Sequence, residues 1–218
     1  MVNEKCRIYL IDIRTLQSDY ARFFSLLTPR RKKDVQGFRK EEDRLHSMAA
    51  GLLLKCVLKA SDDSLRHTPE GKPFVEDSVR FSLSHGGNYA ALAVMDSEVG
   101  VDVEPIAQMK QDGFRMIAKR VFSPDEIAWM NGADEKKNFF ILWTKKESIL
   151  KADGRGFLLE PCSFSVLSGC KWITEHIEFD NHIIAIASEK PFSIETHVLS
   201  VQEVLKDEVC PQVIDCAF

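Results

Sequence analysis

Of 218 residues, 44% are hydrophobic and 14 are phenylalanine, which supplies a buried core and excludes a disordered or fibrous chain. A formal net charge of -4 argues against a dedicated nucleic-acid binder, because phosphate backbones call for a basic surface. No stretch approaches the ~20 apolar residues of a membrane span, and the opening MVNEKCRIYLIDIR is too charged for a signal peptide. Neither a membrane partner nor secretion is therefore expected. The six cysteines, at 6, 56, 162, 170, 210 and 216, form no CxxC pair and no zinc-like spacing with histidine. They read as reduced thiols of a cytoplasmic protein.

Along the chain, alternation from Arg7 to Ile13 predicts a first strand. Thr28-Pro29 marks a helix start, a capping residue followed by proline at the first helical position. The stretch 28–44 carries Arg30, Arg31, Lys32, Lys33, Arg39, Lys40 and Arg44 against Asp34, Glu41, Glu42 and Asp43. It is either a solvated helix face or an anion site. A helix is predicted from Lys40 to Ala60, with Leu45, Met48, Leu52, Leu53, Cys56 and Val57 on one stripe. Glu70-Gly71-Lys72-Pro73 reads as a turn, and strands are predicted at Val79–Ser84, Tyr89–Met95 and Val99–Glu104.

The second half repeats the recipe. Ser123-Pro124-Asp125-Glu126 is a cap with an acid at the capping-box position. A short helix and a longer one from Lys136 to Asp153 follow, ended by Gly154-Arg155-Gly156. Strands are then predicted at Ser163–Leu167, Cys170–Glu178 and His182–Ala187. Each half thus runs cap-proline, short helix, long helix, three strands. Two α+β subdomains are expected, 1–105 and 106–218, with a crevice between them as a natural ligand site.

In Gly100-Val101-Asp102-Val103-Glu104, residues two apart share one face of a strand. Asp102 and Glu104 therefore project together, while Val101 and Val103 point to a buried face. Two readings stand: a wet polar edge, or a hard-cation site, since Mg²⁺ accepts one or two protein carboxylates beside water and phosphate oxygens. The preceding Phe81-Ser82-Leu83-Ser84-His85-Gly86-Gly87 ends with a hydroxyl, an imidazole and free backbone N–H groups, which suits an anion. A hydrogen-bonded surface histidine is the plainer reading. No acid is spaced to complete a serine-hydrolase triad with His85. In WTKKESILK, Trp143, Glu147 and Lys151 recur every fourth residue along one helix face. Glu147 and Lys151 are either a surface ion pair or members of a site whose partners lie elsewhere.

Taken in order, GKP at 71–73, FSLSH at 81–85, GVDVE at 100–104 and WTKKESILK at 143–151 resemble the motifs of one family, the Sfp-type 4′-phosphopantetheinyl transferases. These enzymes activate carrier proteins of fatty-acid, polyketide and nonribosomal-peptide synthesis. Each motif is weak alone; the ordered set is specific and spans residues 20–165. The resemblance implies an α+β fold of two similar halves about a pseudo-twofold axis, in agreement with the repeat. It implies Mg²⁺ held by Asp102, Glu104 and Glu147, with the diphosphate of coenzyme A between the halves. His85 and Lys151 match phosphate contacts, Ser84, Lys72 and Ser47 other coenzyme contacts, and Arg31 the base for the 3′-phosphate. Asp34 departs from the pattern, where a second base is common. Lys146 is either another phosphate contact or a carboxylate partner, and Trp143 a packing residue. Glu147, Lys151 and His85 are the catalytic candidates. The implied partners are coenzyme A and an apo acyl or peptidyl carrier protein. The carrier would meet a monomer through the basic 30–40 region or through 110–122 (Lys110, Arg115, Lys119, Arg120). A Mg²⁺-dependent hydrolase of diphosphates and a non-catalytic coenzyme A-binding module are the rival expectations.

Overall fold

The computed structural model describes residues 3–106 and 111–206. Strand β1 (Glu4–Asp12) leads to helices α1 (Tyr20–Ser25), α2 (Pro29–Gly37) and α3 (Glu41–Leu58). Thr28 caps α2 as its sequence predicts, accepting the Arg31 backbone N–H at 3.1 Å, with Pro29 in the first turn. The predicted stripe Leu45, Met48, Leu52 and Leu53 is the buried face of α3. A two-residue ribbon, β2 (Arg66–His67) and β3 (Pro73–Phe74), precedes β4 (Arg80–Gly86), β5 (Tyr89–Met95) and β6 (Val99–Pro105). Next come α4 (Gln111–Val121), α5 (Pro124–Met130) and α6 (Glu135–Asp153), then β7 (Ile173–Phe179), β8 (His182–Ser188), β9 (Phe192–Val198) and α7 (Val201–Lys206).

The main sheets have strand orders β4-β5-β1-β9 and β6-β8-β7. β6 pairs antiparallel with β8 rather than with β5, which precedes it, and β9 pairs parallel with β1. Each sheet therefore takes one strand from the far side of residue 105. α3 covers one face of the first sheet through Ile11, Phe81, Leu92 and Val94. The opposite face, with Ile8, Leu10, Ala91 and Ala93, shares a core with Val99, Val101, Val103, Ile184 and Ile186 of the second sheet. α6 closes the outer face of that sheet, packing Phe139 and Leu142 with Ile183, and Ile149 and Ala152 with Ala187. The stack is helix, sheet, sheet, helix. Each fully buried aliphatic side chain stabilises it by roughly 1.5–3 kcal/mol relative to exposure.

Two glycines set the distances that matter for function. A Cβ at Gly100 would stand 1.9 Å from the Ser148 carbonyl oxygen and 2.4 Å from the Ala152 nitrogen. Only glycine lets α6 lie directly on β6. A Cβ at Gly86 would stand 2.1 Å from the Val103 carbonyl oxygen, so β4 approaches β6 equally closely.

The structure differs from the sequence reading in several stretches, and α1, α4, α7 and the β2–β3 ribbon are additions to it. Ser163–Leu167 is not a strand; Pro161–Ser163 forms a 3₁₀ turn and irregular chain follows. Its backbone carbonyls are used by a buried lysine instead of a ladder. The strand predicted from Cys170 begins at Ile173, and β9 has no counterpart in the prediction. Among the described residues, no helix is long and apolar enough to cross a membrane.

Candidate active site

β6 turns its residues as alternation predicts: Val101 and Val103 are 0% and 1% exposed in the core, and the acids face α6. Asp102 is only 4% exposed, so the wet-edge reading does not hold for it. Its Oδ1 accepts from Lys151 Nζ at 2.6 Å and from Ser84 Oγ at 2.8 Å. Lys151 also donates to Ser84 Oγ at 2.7 Å, closing a three-membered cluster from β4, β6 and α6. The ion pair of Lys151 is thus with Asp102. Among the described residues, Asp102 Oδ2 is buried without a hydrogen-bond partner. A bare buried polar atom costs on the order of 1–3 kcal/mol and calls for an explanation.

The two glutamates add to that cost. Glu104 Oε1 accepts the Trp143 indole N–H at 3.0 Å. Burial, then the Asp102 charge, holds Glu104 above the usual carboxylate value, while the Trp143 bond and Lys151 oppose the shift. Glu147 is pushed up to about 7, first by burial and then by the charge on Asp102. Three mutually repelling acids therefore face one ammonium in a desolvated region. This donor set fits a hard divalent cation, which would take the orphan oxygen and neutralise the excess charge. The acids are not gathered in advance: among the described residues, no three His, Cys, Asp or Glu side chains surround a common point.

His85, at the end of β4, stacks on His46 of α3 with centroids 4.7 Å apart and planes at 21°. Burial lowers the His85 value, and His46 and Lys151 lower it further. His46 donates Nε2–H to the Gly87 carbonyl at 3.0 Å and is itself lowered by burial. Burial thus biases both stacked imidazoles toward the neutral form. Ser47 follows His46 on α3, and Arg31 reaches it through Nη1 at 3.4 Å. Arg31 is held by Asp62, which accepts from Nε at 2.9 Å and from Nη2. Asp62 was missed from sequence because it lies in a loop with no local pattern.

Lys72 and Lys146 are engaged elsewhere. Lys72 Nζ donates to Glu98 Oε2 at 2.7 Å and to the Ala152 carbonyl at 2.8 Å, a cation on the carbonyl end of α6. With Phe81, Leu83, Glu147 and Lys151 it lines a cavity of about 250 Å³. Lys146 departs from the coenzyme contact weighed for it. It is 1% exposed and donates to Glu126 Oε2 at 2.8 Å and to the Pro161 and Phe164 carbonyls at 2.7 and 2.6 Å. All three ammonium protons are used, so none remains for a phosphate.

Comparison with known proteins adds independent support. A profile described as the 4′-phosphopantetheinyl transferase superfamily matches residues 98–201, and one described as 4′-phosphopantetheinyl transferase, N-terminal, matches residues 14–97. The 4′-phosphopantetheinyl transferase AcpT of Escherichia coli O157:H7 is 30% identical over 170 residues, 75% of this chain and 83% of that protein. The chain belongs to the 4′-phosphopantetheinyl transferase superfamily. The 4′-phosphopantetheinyl transferase Sfp of Bacillus subtilis (strain 168) is 29% identical over 161 residues, covering 69% of this chain and 70% of Sfp. The gsp transferase of Aneurinibacillus migulanus is 30% identical over 132 residues, 54% of its length. Asp102, Glu104, Glu147 and Lys151 all fall within the superfamily profile; Arg31, Ser47, Lys72, Ser84 and His85 fall within the N-terminal one.

Proposed function

We propose that this transferase moves the 4′-phosphopantetheine arm of coenzyme A to a serine of an apo acyl or peptidyl carrier protein. The observation that carries the reading is the buried cluster of Ser84, Asp102 and Lys151, with an orphan carboxylate oxygen and two further acids beside it. Asp102, Glu104 and Glu147 would hold Mg²⁺. When bound, the ion neutralises the diphosphate of the coenzyme. The serine hydroxyl attacks the β-phosphorus, its new O–P bond replaces the bond to the bridging oxygen, and adenosine 3′,5′-bisphosphate leaves. Such a transfer needs mainly positioning and charge neutralisation.

The chain's own residues divide that work. Lys151, held at the site by Asp102 and Ser84, would offer its ammonium to the leaving phosphate. Glu147, the acid that α6 brings beside Asp102 and Glu104, is the residue that takes the serine proton. His85 donates to a phosphate oxygen in the crevice between units 1–105 and 106–218, while Ser84, whose one hydroxyl proton goes to Asp102, orients that acid and Lys151. Arg31 and Ser47 hold the far end of the nucleotide. The working unit in this reading is a monomer. Cys6, Cys162 and Cys170 are free thiols, which suits the cytoplasm. The carrier docks on α4, where Lys119, Arg120 and Met116 are exposed; Met116 is 66% exposed. Arg115, also expected there, is paired with Glu135 at 2.6 Å, and Lys110 lies outside the described residues.

Incubation with coenzyme A, Mg²⁺ and several apo carriers, followed by intact-mass measurement, tests the reading. One carrier should gain the phosphopantetheine mass. Steady hydrolysis of coenzyme A without an acceptor would instead establish a hydrolase.

A further inference from the structure

Trp143 does more than pack. It lies one turn before Glu147 on α6, half-buried, with its ring stacked on Phe139 at 6.2 Å and 16°. A phenyl ring would serve that stack as well. Yet the indole N–H points away from the aromatic cluster and donates to Glu104 Oε1 at 3.0 Å. The other oxygen, Oε2, accepts no hydrogen bond among the described residues. Glu104 stands two residues after Asp102 on the same face of β6, with Glu147 nearby. Repulsion from both acids would turn a free glutamate side chain away from them.

The kind of donor matters here. An arginine or lysine at position 143 would orient Glu104 but would also cancel the negative charge that attracts a cation. An indole carries one N–H, no charge and no acceptor. It can fix a carboxylate without neutralising it and without competing for the metal. Carboxylates that ligate metals are commonly held by such outer partners.

We propose that Trp143 is a positioning residue for the cation site, its N–H holding Glu104 by one oxygen and leaving the other for a divalent ion. This inference rests on the reading of Asp102, Glu104 and Glu147 as a Mg²⁺ site. The test is direct titration of the full chain with Mn²⁺ and with Mg²⁺, free of coenzyme, followed calorimetrically. Trp143→Phe keeps the stack on Phe139 and removes only the donor; Trp143→Met serves the same purpose if the phenylalanine variant does not fold. Phe139→Leu disturbs the stack and leaves the donor.

Trp143→Phe should bind the ion about 10–100-fold more weakly. Its transfer rate should recover at high Mg²⁺, so that the metal requirement rises while kcat stays near wild type. Phe139→Leu should bind the ion within about twofold of wild type, since packing alone is altered. In a Glu104→Gln background the same Trp143 substitution should add little, because the two act as one unit. Unchanged binding in Trp143→Phe, or equal losses in Trp143→Phe and Phe139→Leu, would overturn the inference and leave the metal site standing. Absence of any cation binding by the wild-type chain would overturn the site and this inference with it.

Discussion

Lys146 and Lys151 both stand on α6, and each is paired with a carboxylate from an element packed beside the helix, Glu126 of α5 and Asp102 of β6. The first pair is sealed. Its side chains are 2% and 0% exposed, Lys146 has three acceptors, and Glu126 also receives the Ser123 and Val166 backbone N–H groups at 2.8 and 2.7 Å. The second pair is open. Lys151 is 32% exposed in its side chain, Asp102 keeps a bare buried oxygen, and two further acids crowd it. A saturated buried ion pair fixes structure, joining α5, α6 and the 161–166 segment. An unsaturated one keeps spare charge and spare donors, which is what a substrate or a metal can use.

That contrast can be broken at several points. The largest effect is expected at the sealed pair. Lys146→Met leaves Glu126 buried and uncompensated and should cost about 3–5 kcal/mol of stability. Denaturant unfolding measures it, and the fraction that folds should still catalyse transfer. At the open pair the signs reverse. Asp102→Ala or Glu147→Gln should lower transfer on the order of 100-fold or more, and Glu147→Gln should leave the melting temperature unchanged or raised because a repulsive acid is gone. Equal stability losses at the two pairs would erase the distinction.

Gly100→Ala acts on the geometry that brings the open pair together. The added Cβ cannot sit 1.9 Å from the Ser148 oxygen, so α6 must lift from β6. A loss of about 1–3 kcal/mol is expected, together with a fall in transfer larger than the loss of folded protein explains. Paired melting and activity measurements check both.

A smaller effect concerns pH. Glu147 has its folded value raised from 4.5 to about 7, so the metal-free folded state binds more protons than the unfolded chain between those limits. The stability it contributes is therefore present at low pH and is lost as pH rises through about 7. Melting of the metal-free chain should show that decline, Glu147→Gln should flatten it, and saturating Mg²⁺ should oppose it. The smallest effect is expected at an exposed pair: Lys171→Ala, which removes a contact to Glu189, should change stability by about 0–1 kcal/mol.

Local order was open to sequence reasoning, and partners across the molecule were not. The Thr28 cap, the α3 stripe, the end of α6 at Gly154 and the alternation of β6 each depend on neighbours within a few residues. Hence Asp102 and Glu104 were legible as a pair, and Glu147 and Lys151 as a row. What a lysine on a helix meets depends on whatever packs opposite. Lys146 meets Glu126 and two loop carbonyls, and nothing in WTKKESILK distinguishes it from Lys151. Trp143 looked like packing because its ring does pack; the role of its N–H depends on Glu104, 39 residues earlier. The pairing of β9 with β1 joins the two ends of the chain, beyond the reach of any local signal. Gly100 was the overlooked clue, a glycine inside a strand that marks a close approach.

The most direct test is a crystal structure of the chain with coenzyme A and Mn²⁺, read by the metal's anomalous scattering. One peak within coordination distance of Asp102, Glu104 and Glu147 oxygens, beside the diphosphate, is predicted. A peak held by other residues, or a bound coenzyme whose diphosphate lies away from these three acids, would contradict it.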